Sequence, residues 1–380
     1  MKKGFYFSQI ESGSMGPRNK VQAQIKTFAK NGIELELVES PFKLDGPIRG
    51  NFLLRQLVSR LPFTYVYSKH EYEERFKDAY VIYIRFLAGD WYFTRFLKKL
   101  RENNPNAKIV MELADYPTTW YMATSTFYKL VYFPILLKDV FARRCYKRYI
   151  DRICMLKEHD SVYGIPVIRF SNGIDCDNIT PRKPNDDLSV IRIIAVAAMC
   201  NFHGYERLIE GLHNYLVNGG ESAIELHLVG GVDAPGNDVA VYKSLVNEYN
   251  LQEQVIFYGP KSGNELDEIY NRCNLAVASL GMYKIGYKQA NSLKVREYLA
   301  KGLPIITGCD TDVFENLDFD KFIQFSNDET PIDFNRVIEF FDRVYEKNSP
   351  KDINDEISEF AKKYCDMSYA MKPVIDFLKE

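Results

Sequence analysis

Residues Leu275 to Gly308, LAVASLGMYKIGYKQANSLKVREYLAKGLPIITG, decide how this chain is read. The run opens on a continuous apolar strand, LAVASL, and passes through a polar loop. It enters a helix that holds Lys294, Arg296 and Glu297, then leaves by a Gly-Pro turn into a second apolar strand, PIIT. Apolar runs this continuous fit strands covered on both faces, as in a parallel sheet. The loop and the helix N-terminus then fall at the carboxyl end of a strand, where ligands bind in open α/β sheets. The first-turn N–H groups of a helix have no intrahelical partner and suit a phosphate there.

The same alternation extends in both directions. Upstream, VIRIIAVAAM, IELHLVGG and VIFYGP read as strands, with helices HGYERLIEGLHNYL, DVAVYKSLVNEYNL and ELDEIYNRC between and after them. The first half repeats the scheme with strands KGFYFSQI, IELELVES, DAYVIYIRF, AKIVMEL, IDRICML and PVIRFSNG, and helices over about 19–30 and 91–102. Strands alternating with helices predict two doubly wound α/β domains. The polar, proline-bearing PRKPNDD at 181–187 reads as the linker. The expected division is residues 1–185, residues 186–365, and a C-terminal helix, 366–380, that packs back on the first domain.

A chain of 380 residues with 46% hydrophobic and 26% charged residues is ordinary for two globular domains. The net charge of −2 hides an asymmetry: residues 1–188 hold 30 Lys and Arg against 21 Asp and Glu, and the remainder 19 against 30. A basic half joined to an acidic half suggests that the first half meets something anionic. Seven scattered cysteines with no C-x-x-C pair argue against a disulfide framework and for a reducing compartment. The N-terminus MKKGFYFSQIESGS lacks the apolar core of a signal peptide, and no run reaches the length of a membrane span. A cytoplasmic protein, peripheral at the inner face of the cell membrane, is expected.

The order of motifs in the second half resembles the donor domain of family 4 glycosyltransferases, retaining enzymes of the two-Rossmann-domain GT-B type. The resemblance rests on His203-Gly204, on Leu251 followed by Val255-Ile256-Phe257-Tyr258-Gly259, on Glu297, and on Gly302-Leu303-Pro304. In the first half it rests on the early glycine loop and on Asn172-Gly173-Ile174-Asp175. It implies a cleft between the domains, a nucleotide-diphosphate sugar as donor, and sugar transfer to a hydroxyl with retention. It also implies no cofactor and no metal. No Asp-x-Asp motif stands at a strand end, and Asp175 and Asp177 read as junction residues.

Carried over residue by residue, the resemblance makes Glu297 the acceptor of both ribose hydroxyls, a task that suits an acceptor-only carboxylate. Gln289, eight positions earlier, stands where the family places a second glutamate that holds the donor sugar. The family's Arg and Lys on the diphosphate fall on Ala198 and His203. We expect His203, Arg207 and Lys294 to replace them together. Arg207 lies one turn beyond His203, and Ser292 and Leu293 offer backbone N–H groups beside Lys294. Gly204 and Gly259 complete the donor site, as do Gly13 and Gly16, which let the first domain's backbone approach. Asp115, ending MELADYP, matches a His or Asp that touches the donor sugar.

Arg95, Lys98 and Lys99 in FTRFLKKLRE, and Arg143 and Arg144 in the aromatic-rich 121–152 segment, make basic amphipathic stretches suited to anionic headgroups. A membrane patch of this kind fits a glycan acceptor carried on a lipid, as in bacterial capsule, exopolysaccharide or cell-wall synthesis. No nucleic-acid partner is expected. Uracil is the expected base. Two other readings stay open: an NDP-sugar epimerase on the same fold, and a catalytically degenerate nucleotide-sugar-binding protein, to which Ala198, His203 and Gln289 point.

Overall fold

The computed structural model describes residues 3–9, 15–39, 42–43, 52–61, 63–64, 69–113, 126–156, 159–232, 236–315 and 317–380. The chain divides into two compact units: Met1–Ser171 with Ala370–Glu380, and Asn172–Tyr369. The first unit therefore ends at 171 where 185 was expected, and takes back the last eleven residues.

The first unit is built on strands β1 (Lys3–Ser8), β2 (Leu35–Glu39), β5 (Ala79–Phe86), β6 (Lys108–Leu113), β7 (Arg152–Met155), β8 (Ser161–Val162) and β9 (Ile165–Arg169). A short antiparallel pair, β3 (Phe42–Lys43) and β4 (Lys69–His70), lies apart from them. The sheet order is β2-β1-β5-β6-β7-β9-β8, parallel except for β8. Helices α1 (Met15–Lys30), α2 (Phe52–Arg60), α3 (Trp91–Asn103) and α4 (Thr126–Arg143) connect the strands. Helix α3 shows why such segments settle. Asp90 caps it by accepting from the Phe93 N–H, and Phe93, Phe96, Leu97 and Leu100 form one buried stripe.

The second unit carries β10 (Val190–Ala197), β11 (Ala223–Gly230), β12 (Val255–Gly259), β13 (Leu275–Val277), β15 (Ile305–Thr307) and β17 (Phe322–Gln324) in one parallel sheet. Its order, β12-β11-β10-β13-β15-β17, is the doubly wound Rossmann order, which reverses direction between β10 and β13. Strands β14 (Gln289–Ala290) and β16 (Asp310–Thr311) pair separately. The helices are α5 (Glu206–Val217), α6 (Val239–Glu248), α7 (Gly263–Arg272), α8 (Leu293–Ala300), α9 (Phe334–Tyr345), α10 (Pro350–Tyr364), α11 (Met367–Ala370) and α12 (Lys372–Lys379). Helix α12 belongs to the first unit, where the Lys108 ammonium donates to the Phe377 carbonyl.

Residues 181–187, expected as a linker, pack on the second unit instead. Arg182 is buried, its N–H donates to the Lys301 carbonyl, and the Lys183 N–H donates to Asn271. Five of the seven cysteines are buried and all are free. Among the described residues no helix is long and apolar enough to cross a membrane.

Candidate functional site

In the second unit the strand order reverses between β10 and β13, and the loops that follow these two strands leave from their carboxyl ends. Beyond β10 the chain runs through exposed Ala198 and buried Met199, whose φ of 58° is costly for a side chain this large. A 3₁₀ turn over Asn201–His203 follows, and Gly204 closes it at φ 67°. A Cβ at Gly204 would lie 2.4 Å from the Gly281 nitrogen, so only glycine lets the two loops close on each other.

Arg207 locks that closure. Its guanidinium is 1% exposed and donates to three backbone carbonyls: Thr330 at 2.7 Å, Leu280 at 2.5 Å and Ser326 at 3.0 Å. Asp328 stands 3.9 Å away. The expectation that Arg207 contacts phosphate is therefore corrected. Its donors are committed to the loops, and removing them would orphan buried carbonyls. The Leu280 N–H to His203 carbonyl bond and the Glu206–Lys284 ion pair add to the same closure.

His203 is also corrected. The ring is 5% exposed and packed between Phe202 and Tyr205, and burial pushes its pKa down to about 3, with Lys294 pushing the same way. Its Nδ1 lies 3.1 Å from the Cys200 carbonyl, which can only accept, so Nδ1 carries the proton. In the neutral ring Nε2 is then an acceptor, the wrong polarity for a phosphate.

The charges that remain lie on α8. Lys294 and Glu297 stand three residues apart, and a helix puts such positions on one face. The Lys294 ammonium is half-buried, 3.5 Å from the Tyr205 hydroxyl, and burial lowers its pKa to about 7 against the pull of Glu297. Glu297 reaches solvent, yet desolvation still raises its carboxyl, with Lys294 and Lys301 opposing. Among the described residues no hydrogen bond or salt bridge engages that carboxylate. Lys301 is spent on Asp267 and the Thr180 carbonyl, and Arg296 on Asp312 at 2.6 Å and the Ser292 carbonyl. Ser292 caps α8 without a side-chain bond, so the first-turn N–H groups beside Leu293 and Lys294 are not capped from that side.

Gln289 lies on β14, exposed, and its amide donates to Glu315 at 2.5 Å. The Glu315 carboxylate thus stands beside Gln289. No sequence signal points to it, because Glu315 is 26 residues away. The pairing of β14 with β16 brings it in. Tyr205 and Met199 were missed as well. Gly259 ends β12 at φ 65°, and Gly16 lies in the first turn of α1. Gly13 and Asp115 fall outside the described residues. Among those described, no group of three or more His, Cys, Asp or Glu is placed to hold a metal.

The basic patch is thinner than expected. Arg143 pairs with Asp139 and lies over the Tyr163 ring, and Lys98 pairs with Glu102. Arg95, Lys99 and Arg144 are exposed.

Residues 180–315 match the family model described as glycosyl transferases group 1. Solved structures share the whole architecture. A glycosyltransferase of Rickettsia africae superposes with a TM-score of 0.63 at 13% identity, over 100% of this chain and 98% of that one. HepE of Anabaena, solved in complex with UDP, gives 0.60 at 13% over the full length of both. Sucrose-phosphate synthase of Thermosynechococcus elongatus gives 0.58 at 16%, over 100% and 98%. A sequence comparison with curated proteins returns no match. The chain has the GT-B fold, and the family match supports a glycosyltransferase.

Proposed function

We propose that the Asn172–Tyr369 unit binds a nucleotide-diphosphate sugar, with a UDP-sugar as donor, and that the chain transfers the sugar to a hydroxyl with retention of configuration. The observation that carries this reading is Glu297: an accessible, desolvated carboxylate that no described residue engages by hydrogen bond or salt bridge, at the strand reversal, inside the matched segment. Two ribose hydroxyls complete its hydrogen bonding. Lys294 and the uncapped start of α8 hold the diphosphate and stabilise it as it leaves, with no metal required. Gln289 and Glu315 together hold hydroxyls of the sugar. Uracil is supported by HepE, a protein of the same fold solved with UDP and with UDP-glucose. The acceptor is a lipid-linked glycan of a bacterial capsule, exopolysaccharide or cell wall, met at the inner membrane surface.

The test is release of nucleoside diphosphate from UDP-, GDP- and other NDP-sugars, with and without lipid-linked acceptor and with and without EDTA. Release from a UDP-sugar that needs acceptor and survives EDTA is expected; no binding and no release with any donor overturns the reading. The single ammonium at the diphosphate, with Ala198 and neutral His203 in place of cations, favours one second reading, a binding protein that has lost catalysis. Tight UDP-sugar binding without release under any pairing would establish that instead.

A further inference from the structure

Helix α4 turns an apolar ridge to solvent. Phe133, Leu137 and Phe141 recur at every fourth position and are 52%, 40% and 61% exposed, while Ile135, Asp139 and Ala142 face inward. A surface helix with a settled solvent face carries polar residues there. Leu57 and Leu61, also four apart on and just after α2, are exposed as well, and so is Trp91 at the start of α3. Phe63 is the extreme case. Its ring is 92% exposed, and its φ of 62° is a left-handed conformation that a bulky residue enters at a cost. Single exposed apolar side chains are ordinary, but neighbouring ones around one hollow mark a binding surface.

The hollow is there. Phe63, Trp91, Pro134, Leu137 and Phe141 line a recess of about 540 Å³, with Ala142 and Cys145 at its side. Its wall is braced, because the Lys138 ammonium donates to the Ser59 carbonyl and to both oxygens of Thr64, tying α4 to the end of α2. Among the described residues no acidic one lines it. Cations surround it. The exposed face of α3 continues from Trp91 to Arg95 and Lys99, and the Arg144 guanidinium rests on the Phe141 ring. None of these three has an ion pair among the described residues.

We infer that this face of the first unit seats on an anionic phospholipid leaflet, with Phe63, Trp91, Leu137 and Phe141 in the acyl boundary, one lipid chain in the recess, and Arg95, Lys99 and Arg144 among the headgroups. An apolar core ringed by tryptophan and basic residues is the composition of an interfacial anchor. Basic side chains gain from the negative leaflet, and the first 188 residues carry the chain's excess of cations. A second copy of the chain fits less well, since a two-fold pairing would set those cations against each other. The inference deepens the proposed encounter at the inner membrane surface by naming the face that makes it, and it rests on that part of the reading and not on the donor site.

The experiment is vesicle flotation of the full chain with phosphatidylglycerol–phosphatidylcholine or phosphatidylcholine-only vesicles. The Trp91 emission is read in a Trp120→Phe background, which leaves Trp91 as the one tryptophan. Binding to the anionic vesicles with a blue shift of Trp91 is expected. The Phe63→Ser/Phe141→Ser variant should lose at least about tenfold in vesicle affinity. Arg95→Gln/Lys99→Gln/Arg144→Gln should lower binding and flatten its salt dependence. Both variants should keep the parent's melting temperature and UDP affinity, so a failure here is distinct from a failure at the donor site. No flotation, equal flotation by the serine variant, or a vesicle-free dimer that the serine variant dissolves would overturn the inference.

Discussion

The two units each have a parallel sheet whose order reverses beside its first strand, and they treat that place in opposite ways. In the first unit, between β1, β5 and β6, the protein fills it with its own charges. Glu112 is fully buried, with the Lys20 ammonium at 3.3 Å and the Arg85 guanidinium at 3.7 Å. Tyr83 donates to it at 2.7 Å and Gln24 at 2.9 Å, and Gln24 in turn accepts from Tyr6. Burial alone would raise the Glu112 carboxyl, but these partners overrule it and hold the pKa at about 2. In the second unit, Glu297 and Lys294 are also desolvated and both move toward neutrality, the glutamate up and the lysine down to about 7. A partnered carboxylate under a sheet end is structure, whereas an unpartnered one that water can reach awaits a ligand.

The largest expected effect tests that contrast on stability. Glu112→Ala leaves Lys20 and Arg85 buried without their counter-charge and should cost about 3–5 kcal/mol in urea unfolding. Glu297→Ala should change stability by less than about 1 kcal/mol. Equal losses would erase the distinction.

The next is acid stability. The folded pKa of Glu112, about 2, lies below that of an unfolded glutamate, near 4.3. Its contribution is therefore present above pH ~4.3 and lost as pH falls toward 2, about 3 kcal/mol in all. Unfolding followed from pH 5 to 2 should show this slope and lose it in Glu112→Gln.

Third, Glu297→Ala should weaken UDP binding by about 2–4 kcal/mol in calorimetry, the worth of two hydrogen bonds to a charged group. Unchanged affinity would remove Glu297 from the site.

Fourth, Lys294 titrates near 7 in the free protein, and a bound diphosphate favours its charged form. Affinity for UDP should hold below pH 7 and fall above it. Lys294→Met should be weaker and lose that dependence. A fall above pH 7 that survives in Lys294→Met would take Lys294 off the phosphate.

Smallest is the sugar end. Glu315→Gln should cost about 1 kcal/mol in UDP-sugar affinity and nothing in UDP affinity. An equal loss for both ligands would place Glu315 outside the sugar pocket.

Much of this was legible beforehand. The alternation of apolar runs with amphipathic helices located most strands of both sheets, because strands buried on both faces read as near-continuous apolar runs whichever neighbour they take. The helix that carries Glu297 and Lys294 was legible because it starts beside a strand end. Arg207 and His203 misled, since their charges look available in sequence and are buried in the fold. Glu315 had no local signal at all.

By itself the sequence determined the two doubly wound sheets and the helix that carries Glu297. These follow from local periodicity, which covers a few residues at a time. Only the tertiary structure decided which charges are free. It tied Arg207 to the carbonyls of Leu280, Ser326 and Thr330, brought Glu315 to Gln289, and left the α4 ridge bare. Partners so far apart in the chain meet only when the sheet is assembled, and partnering sets whether a charge is structural or available to a ligand.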